Sequence, residues 1–422
     1  MLKVFKFGGA SVKDAQAVRN VARIIETNCK DRMVVVLSAM GKMTNAFETL
    51  VDNSFHQKPE AETQFAIIKS FHSEILESLF PDPNHLVYVH INNIFHELKQ
   101  AIKTISTENY DSVYDRIVPY GEFLSTSIVA DYLNDCKIST QLLNAQELIK
   151  TDENHRSADI NWELSIQEIN HKLSDSFWDK NNIALTQGFI GSSTNETPTT
   201  LGREGSDFTA SIFAYALNAV EVTIWKDVPG LLNADPKLFD KTKLLSHISF
   251  QEAIELAYYG AKIIHPKTIK PLQNKNIPLR VKSFENPMAV GTIINNENKD
   301  DDRYSSIIVK ENQLLVSLAT KDFSFIAENH LHTIYGLLSE LRIQLNTIQN
   351  SAISFSLCFD FDREKLDKFI KRLSNQFHIR YNSGLTMYTL RHYNEEIISE
   401  YIGSKTVIME QRSRVTAQFL LK

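Results

Sequence analysis

The run Met33-Val34-Val35-Val36-Leu37 has no polar position, so a strand built from it has no face to give to water. Such a strand belongs in a sheet covered on both sides, which means parallel strands between layers of helix. The residues ahead of it fit that plan. Residues 3–7 are a short β-prone run, Gly8-Gly9 breaks it, and Val18, Val21, Ala22 and Ile25 then recur at helical spacing. A strand–turn–helix–strand order predicts an α/β fold with a mostly parallel sheet sandwiched by helices.

Residues 44–115 are polar, helical in pattern and poor in glycine, and read as a helical excursion from the sheet. Strand signals return near residues 138–143 and 183–190. A glycine-rich turn and helix over 202–217, a strand over 220–225, a helix over 250–259 and a strand over 279–282 follow. The hydrophilic run 295–303, NNENKDDDR, has no apolar period and marks the expected boundary between a domain at 1–295 and a region at 304–422. The rhythm then changes to strand (306–318), helix (326–341), two strands (344–361), helix (363–377) and strand (385–390). That βαββαβ order is an α+β, ferredoxin-like arrangement, with strand-like material left over at 407–420.

A chain of 422 residues has room for two or three cores. Its net charge of −6 argues against a nucleic-acid partner but not against a local cationic pocket for small anions. Cys29, Cys136 and Cys358 are far apart and form no CxxC pair, so neither zinc nor a disulfide framework is expected. No run has the roughly 18 apolar residues of a membrane span. The N-terminus lacks a secretory pattern, so a cytoplasmic location is expected.

Four segments carry chemistry. Lys6-Phe7-Gly8-Gly9-Ala10-Ser11 closes the first strand: paired glycines let a ligand reach backbone amides, and Lys6 adds a full charge, as a transferring phosphoryl group requires. In Thr199-Thr200-Leu201-Gly202-Arg203-Glu204-Gly205-Ser206-Asp207, Ser206 and Asp207 suit a first helical turn whose free amides hold phosphate. Arg203 can grip a carboxylate through two donors, and Asp207 can position a lysine. Trp225-Lys226-Asp227-Val228-Pro229-Gly230, followed by Asp235-Pro236-Lys237, ends a strand where ligands bind in parallel sheets. Asp227 suits a ribose hydroxyl or an adenine amine. In Gly260-Ala261-Lys262-Ile263-Ile264-His265-Pro266, Lys262 follows a helix end and could reach nucleotide phosphates. Ser38, Thr44 and Glu122 lie in two further segments, SAMGKMTN and PYGEFLS, that mean little alone.

In this order and spacing the segments resemble the aspartate kinase family of the amino-acid kinase superfamily. Related carbamate, acetylglutamate and uridylate kinases lack the combination of KFGG, TTLGRxGSD and DVPG with GAKIIHP. The resemblance implies the amino-acid kinase fold and transfer of the ATP γ-phosphoryl group, with Mg²⁺, to the β-carboxylate of aspartate. That is the first step toward lysine, threonine and methionine. By position, Lys6, Gly8 and Gly9 would meet the phosphoryl group, helped by Ser206, while Asp207 orients Lys6. Arg203 would hold the α-carboxylate of aspartate and Glu122 its amino group, with Ser38 and Thr44 completing the pocket. Asp227, Lys237 and Lys262 would hold the nucleotide. Lys226 and Leu232 stand at nucleotide positions where the family usually has threonine and tyrosine. Ala10 replaces a usual threonine, and Glu204 a usual glycine.

The C-terminal region resembles an ACT domain, a module that senses amino acids and pairs subunits. It implies a homodimer or higher homo-oligomer and an amino-acid effector. Residues 306–395 would make one complete ACT domain, the rest being a short extra segment. The sensing segment reads Thr347-Ile348-Gln349-Asn350-Ser351-Ala352, with no acidic residue at Ala352. Two other readings stand beside this one: a kinase for another small acid such as acetylglutamate, and a non-catalytic amino-acid-binding regulator.

Overall fold

The computed structural model describes residues 1–28, 31–105, 109–261, 264–322 and 324–422. Cys29 and Lys262 lie outside them. The chain forms two compact units: residues 1–231, 244–257 and 262–301 in the first, and 232–243, 258–261 and 302–422 in the second.

The first unit is built on eight strands in the order Thr140–Leu143, Ile183–Gln187, Arg32–Leu37, Leu2–Phe7, Glu221–Lys226, Leu279–Ser283, Thr292–Asn295, His247–Ser249. Six run parallel side by side; Thr292–Asn295 joins Leu279–Ser283 antiparallel. Met33 through Leu37 are fully buried, as their all-apolar run demands. Phe7 stacks on Trp225 of the next strand at 5.9 Å. Each such side chain stabilises the unit by about 1.5–3 kcal/mol. The stretch 44–115 holds the helices Met43–Phe55, Glu60–Leu79, Leu86–Lys103 and Tyr110–Ile117, which share one core with the sheet. Helix Trp162–Lys172, absent from the sequence reading, is capped by the Asn161 side chain, which accepts from Leu164 N. The hydrophilic run is tied down: Ser249 donates from N and Oγ to the Asp301 carboxylate at 2.7 and 2.6 Å.

The second unit is a six-stranded antiparallel sheet: Leu345–Asn350, Ser354–Asp360, Ser306–Thr320, Phe377–Arg391, Thr416–Leu421, Val407–Arg412. Its first four strands, with helices Glu328–Glu340 and Arg363–Leu373, have the ferredoxin-like order around a core of Leu318, Leu338, Phe359 and Phe369. Ser306–Thr320 and Phe377–Arg391 are each 15 residues long and pass through register shifts at Lys310, Gln313 and Leu315. Beyond that irregularity the far ends of both strands, Thr416–Leu421 and Val407–Arg412 continue the sheet, and helix Glu395–Ile402 packs on it. The helix expected over 363–377 ends at Leu373 and Phe377 opens a strand, although Phe377 keeps the helical apolar period of residues 366–373. Residues 232–243 belong here. Ala234 joins Ile307, Leu390 and Phe419 in the core, Phe239 meets the Tyr401 ring edge-on, and Ile307 N donates to Asn233 O at 2.7 Å. Cys136 and Cys358 are free thiols. No described helix is long and apolar enough to cross a membrane.

Candidate active site

Parallel strands deliver their C-terminal ends to one edge, and at that edge of the first unit lies a cavity of about 510 Å³. Lys6, Ser38, Thr44, Glu122, Arg203, Ser206, Asp207 and Lys226 all line it. Glu48, Tyr114, Arg156 and Phe189 line it as well, and the sequence reading named none of them.

Its floor is an ion cluster. Lys6 Nζ lies 2.6 Å from Asp207 Oδ1, and Lys226 Nζ 3.4 Å from Oδ2. All three side chains are well shielded, Asp207 almost wholly. Burial pushes the Asp207 carboxyl up, but the ammonium groups of Lys6 and Lys226 outweigh it and hold the group below its ordinary range. Asp207 sits in the first turn of helix Gly205–Leu217, where the dipole also favours its charge. Glu204 precedes that helix at φ 55°, the left-handed conformation that glycine adopts at least cost.

Two glycines set the approach. A Cβ on Gly9 would lie 2.4 Å from Gly41 O, and Gly41 N donates back to Gly9 O at 2.9 Å. The turn after the first strand is thereby pressed onto the turn after the second. A Cβ on Gly188 would lie 2.4 Å from Ser206 Cβ, so the helix start packs directly on the end of Ile183–Gln187. Gly8 stands beside Lys6: a Cβ there would be 3.5 Å from Nζ.

Glu122 enters from the first turn of helix Tyr120–Asp135 and is 2% exposed. Its Oε1 accepts from Ala39 N at 3.2 Å, while Oε2 has no hydrogen-bond partner among the described residues. Burial pushes its carboxyl up to about 8, against the pull of the Ala39 amide and Lys6. Tyr114 donates to Glu48 Oε1 at 2.7 Å, and burial together with that carboxylate holds the phenol above its ordinary range. Arg156 sits at φ 63° with its guanidinium 4.4 Å from the Tyr114 ring centre and 3.0 Å from Asp111 Oδ1. Its backbone is fixed by the buried Asp115, which accepts from Arg156 N at 3.0 Å, His155 Nδ1 at 2.8 Å and Thr200 Oγ1 at 2.6 Å. Arg203 and Arg156 are both exposed at the cavity mouth. The site thus offers cations at floor and rim with a neutral-leaning carboxyl between them, an arrangement suited to a small ligand with both carboxylate and ammonium groups.

The structure does not gather every residue singled out from the sequence. Asp227 is exposed and does not line the cavity. Leu232 and Lys237 fold with the second unit. Lys262 is outside the described residues.

Fold and site define a class, and residues 1–283 match the model of the amino acid kinase family. Aspartokinase 1 of Arabidopsis thaliana, a chloroplast protein, is 34% identical over 85% of this chain, which spans 63% of that relative. The lysine-sensitive aspartokinase 3 of Escherichia coli is 30% identical over 85% of this chain and 78% of its own length. The crystal structure of E. coli aspartokinase III with aspartate and ADP superposes with a TM-score of 0.85 at 26% identity, covering 100% of this chain and 96% of that one. The chain belongs to the amino acid kinase family and, within it, to the aspartokinases.

Proposed function

We propose that this protein transfers the γ-phosphoryl group of ATP to the β-carboxylate of L-aspartate. The observation that carries the reading is the Lys6–Asp207–Lys226 cluster, with Lys6 and Asp207 buried, in one cavity with Glu122 and Arg203. It is supported by the E. coli relative whose structure holds aspartate and ADP. The acceptor carboxylate is ionised at neutral pH, with a reference pKa of about 3.9, and needs no general base. The obstacle is the meeting of two anions. Lys6, the amides at the start of helix Gly205–Leu217 and the Gly8-Gly9 turn supply fixed positive potential where charge gathers.

Arg203 grips the α-carboxylate, and Ser38 and Thr44 close the pocket. Glu122 receives the ammonium, which restores its charge. Asp227, Lys237, Lys262 and Leu232 belong to nucleotide binding in this proposal. Among the described residues no group of three or more acidic, histidine or cysteine side chains could hold a metal ion, and both Asp207 oxygens face lysines. Mg²⁺ therefore fits as an ion carried on the ATP phosphates, where it neutralises charge.

The second unit is read as an ACT-like amino-acid sensor, in line with the lysine-sensitive relative, and as the region that would pair subunits. The test is ADP release coupled to trapping of the acyl phosphate with hydroxylamine, across a panel of small acids, with and without lysine or threonine. Turnover with aspartate above the other acids supports the reading; turnover only with acetylglutamate, or none with any acid, sinks it.

A further inference from the structure

Lys226 ends the strand Glu221–Lys226, and Lys6 lies in the neighbouring parallel strand, whose Phe7 is opposite Trp225. From adjacent strands the two ammonium groups enter one cavity and meet one carboxylate, at 2.6 Å from Asp207 Oδ1 and 3.4 Å from Oδ2. One carboxylate thus holds two ammonium groups side by side at the cavity floor, where both can face an anionic ligand. Lys226 is also aimed inward: its side chain is 21% exposed and lines the cavity, while the next residue, Asp227, is exposed and does not.

We propose that Lys226 is a second catalytic cation that contacts the transferring γ-phosphoryl group beside Lys6, not a contact to the adenine or ribose. The proposal rests on the phosphoryl-transfer reading above. In that step a bond forms between the acceptor carboxylate oxygen and the γ-phosphorus. The bond from that phosphorus to the β,γ-bridging oxygen breaks, its electron pair stays with ADP, and no proton moves. Negative charge on the equatorial oxygens is shared between two ammonium groups, and Asp207 sets the separation of both by holding one with each oxygen.

The experiment is titration calorimetry of Lys226→Met and Lys226→Arg with ADP and with the β,γ-imido analogue of ATP, in Mg²⁺, beside steady-state turnover and thermal unfolding. Lys226→Met is expected to bind the imido analogue at least tenfold more weakly and ADP less than threefold more weakly. Its kcat is expected to fall at least thirtyfold with Tm nearly unchanged, and arginine is expected to restore part of the loss. Equal losses for ADP and the analogue would overturn the proposal in favour of a contact to the nucleotide body. A kcat within twofold of the wild type would reduce Lys226 to a structural neighbour of Asp207. If the unmodified protein forms no acyl phosphate, the acceptor assignment fails by itself, and the difference between ADP and the imido analogue still judges Lys226.

Discussion

The polar clusters of the two units are arranged in opposite ways. In the first, the buried Glu122 at the sheet edge keeps an unfilled valence, its Oε2 having no partner among the described residues, and Asp207 holds two ammonium groups that face the cavity. In the second, the polar groups at the strand irregularity close on one another. Gln313 donates to Asp360 at 2.8 Å, Asn346 donates to Gln313 Oε1 at 2.6 Å and to Asp360 at 2.9 Å, and Lys310 donates to Asn346 at 2.7 Å. Open valences in a cavity cost stability and await a ligand. A closed network contributes stability and holds two long strands in one register.

The sharpest way to break this comparison is Lys6→Ala. Turnover should fall on the order of 10²–10³-fold, as for loss of a group that meets developing charge. The melting temperature should drop only a few degrees, because Lys226 still faces Asp207. Steady-state rates and a thermal scan decide it; a large loss of folding with normal specific activity would reverse the roles assigned to the two networks. Next, Arg203→Ala should raise KM for aspartate roughly tenfold or more with a smaller change in kcat, since a rim contact adds binding in ground and transition states alike. An unchanged KM would remove the carboxylate grip.

On the closed side, Asp360→Ala should cost about 0.5–1.5 kcal/mol of stability in urea unfolding, because Gln313 and Asn346 each lose one acceptor and keep another, Glu311 O and Gln313 Oε1. Turnover at saturating substrate should stay near wild type. Burial pushes the Asp360 carboxyl up, but its hydrogen bonds from Gln313 and Asn346 and the charge of Lys310 win and leave it below 3.8. The stabilisation is therefore complete above that value and is lost as pH falls through the lower folded one, so the gap between wild type and variant should close in acid.

The remaining test is a pH dependence at Glu122. Its folded pKa of about 8 lies above the reference 4.5, so the native state retains a proton that the unfolded chain releases. Stability then declines as pH rises from about 4.5 to about 8. Glu122→Gln should flatten that slope and leave the variant more stable than the wild type at pH 8, while weakening aspartate binding. Unfolding curves at several pH values that leave wild type and variant parallel would show that Glu122 is not buried as an acid.

Much of the site was legible because strand-to-helix turns carry short-range signals. Lys6 beside Gly8-Gly9, and Ser206-Asp207 after a glycine-rich turn, are residues whose neighbours in sequence are also their neighbours in space. Tyr114, Glu48 and Arg156 were not legible. Tyr114 reaches Glu48 across 66 residues, and Arg156 is held by Asp115 from 41 residues away. Helix Tyr110–Ile117 shows an ordinary amphipathic pattern, and nothing local marks Tyr114 as facing a cavity instead of core. The four-strand order of the ferredoxin-like part was readable from alternation at Phe355, Leu357 and Phe359. The first long strand was readable over 306–318, but of Phe377–Arg391 only 385–390 was, because Arg380 to Gly384 are exposed and lack an apolar rhythm.

The chain's own pattern settled which segments must leave water and where the backbone must come close. Apolar runs and paired glycines are constraints a residue carries wherever it goes. Only the tertiary structure decided which partner each segment met. It put residues 232–243 into the core of the second unit through Ala234, set two lysines on one carboxylate, and left Glu122 with an empty valence. The physical reason is that hydrophobicity specifies burial without naming a neighbour. Hydrogen bonds and ion pairs name the neighbour, and they form only after packing has brought distant residues within about 3 Å.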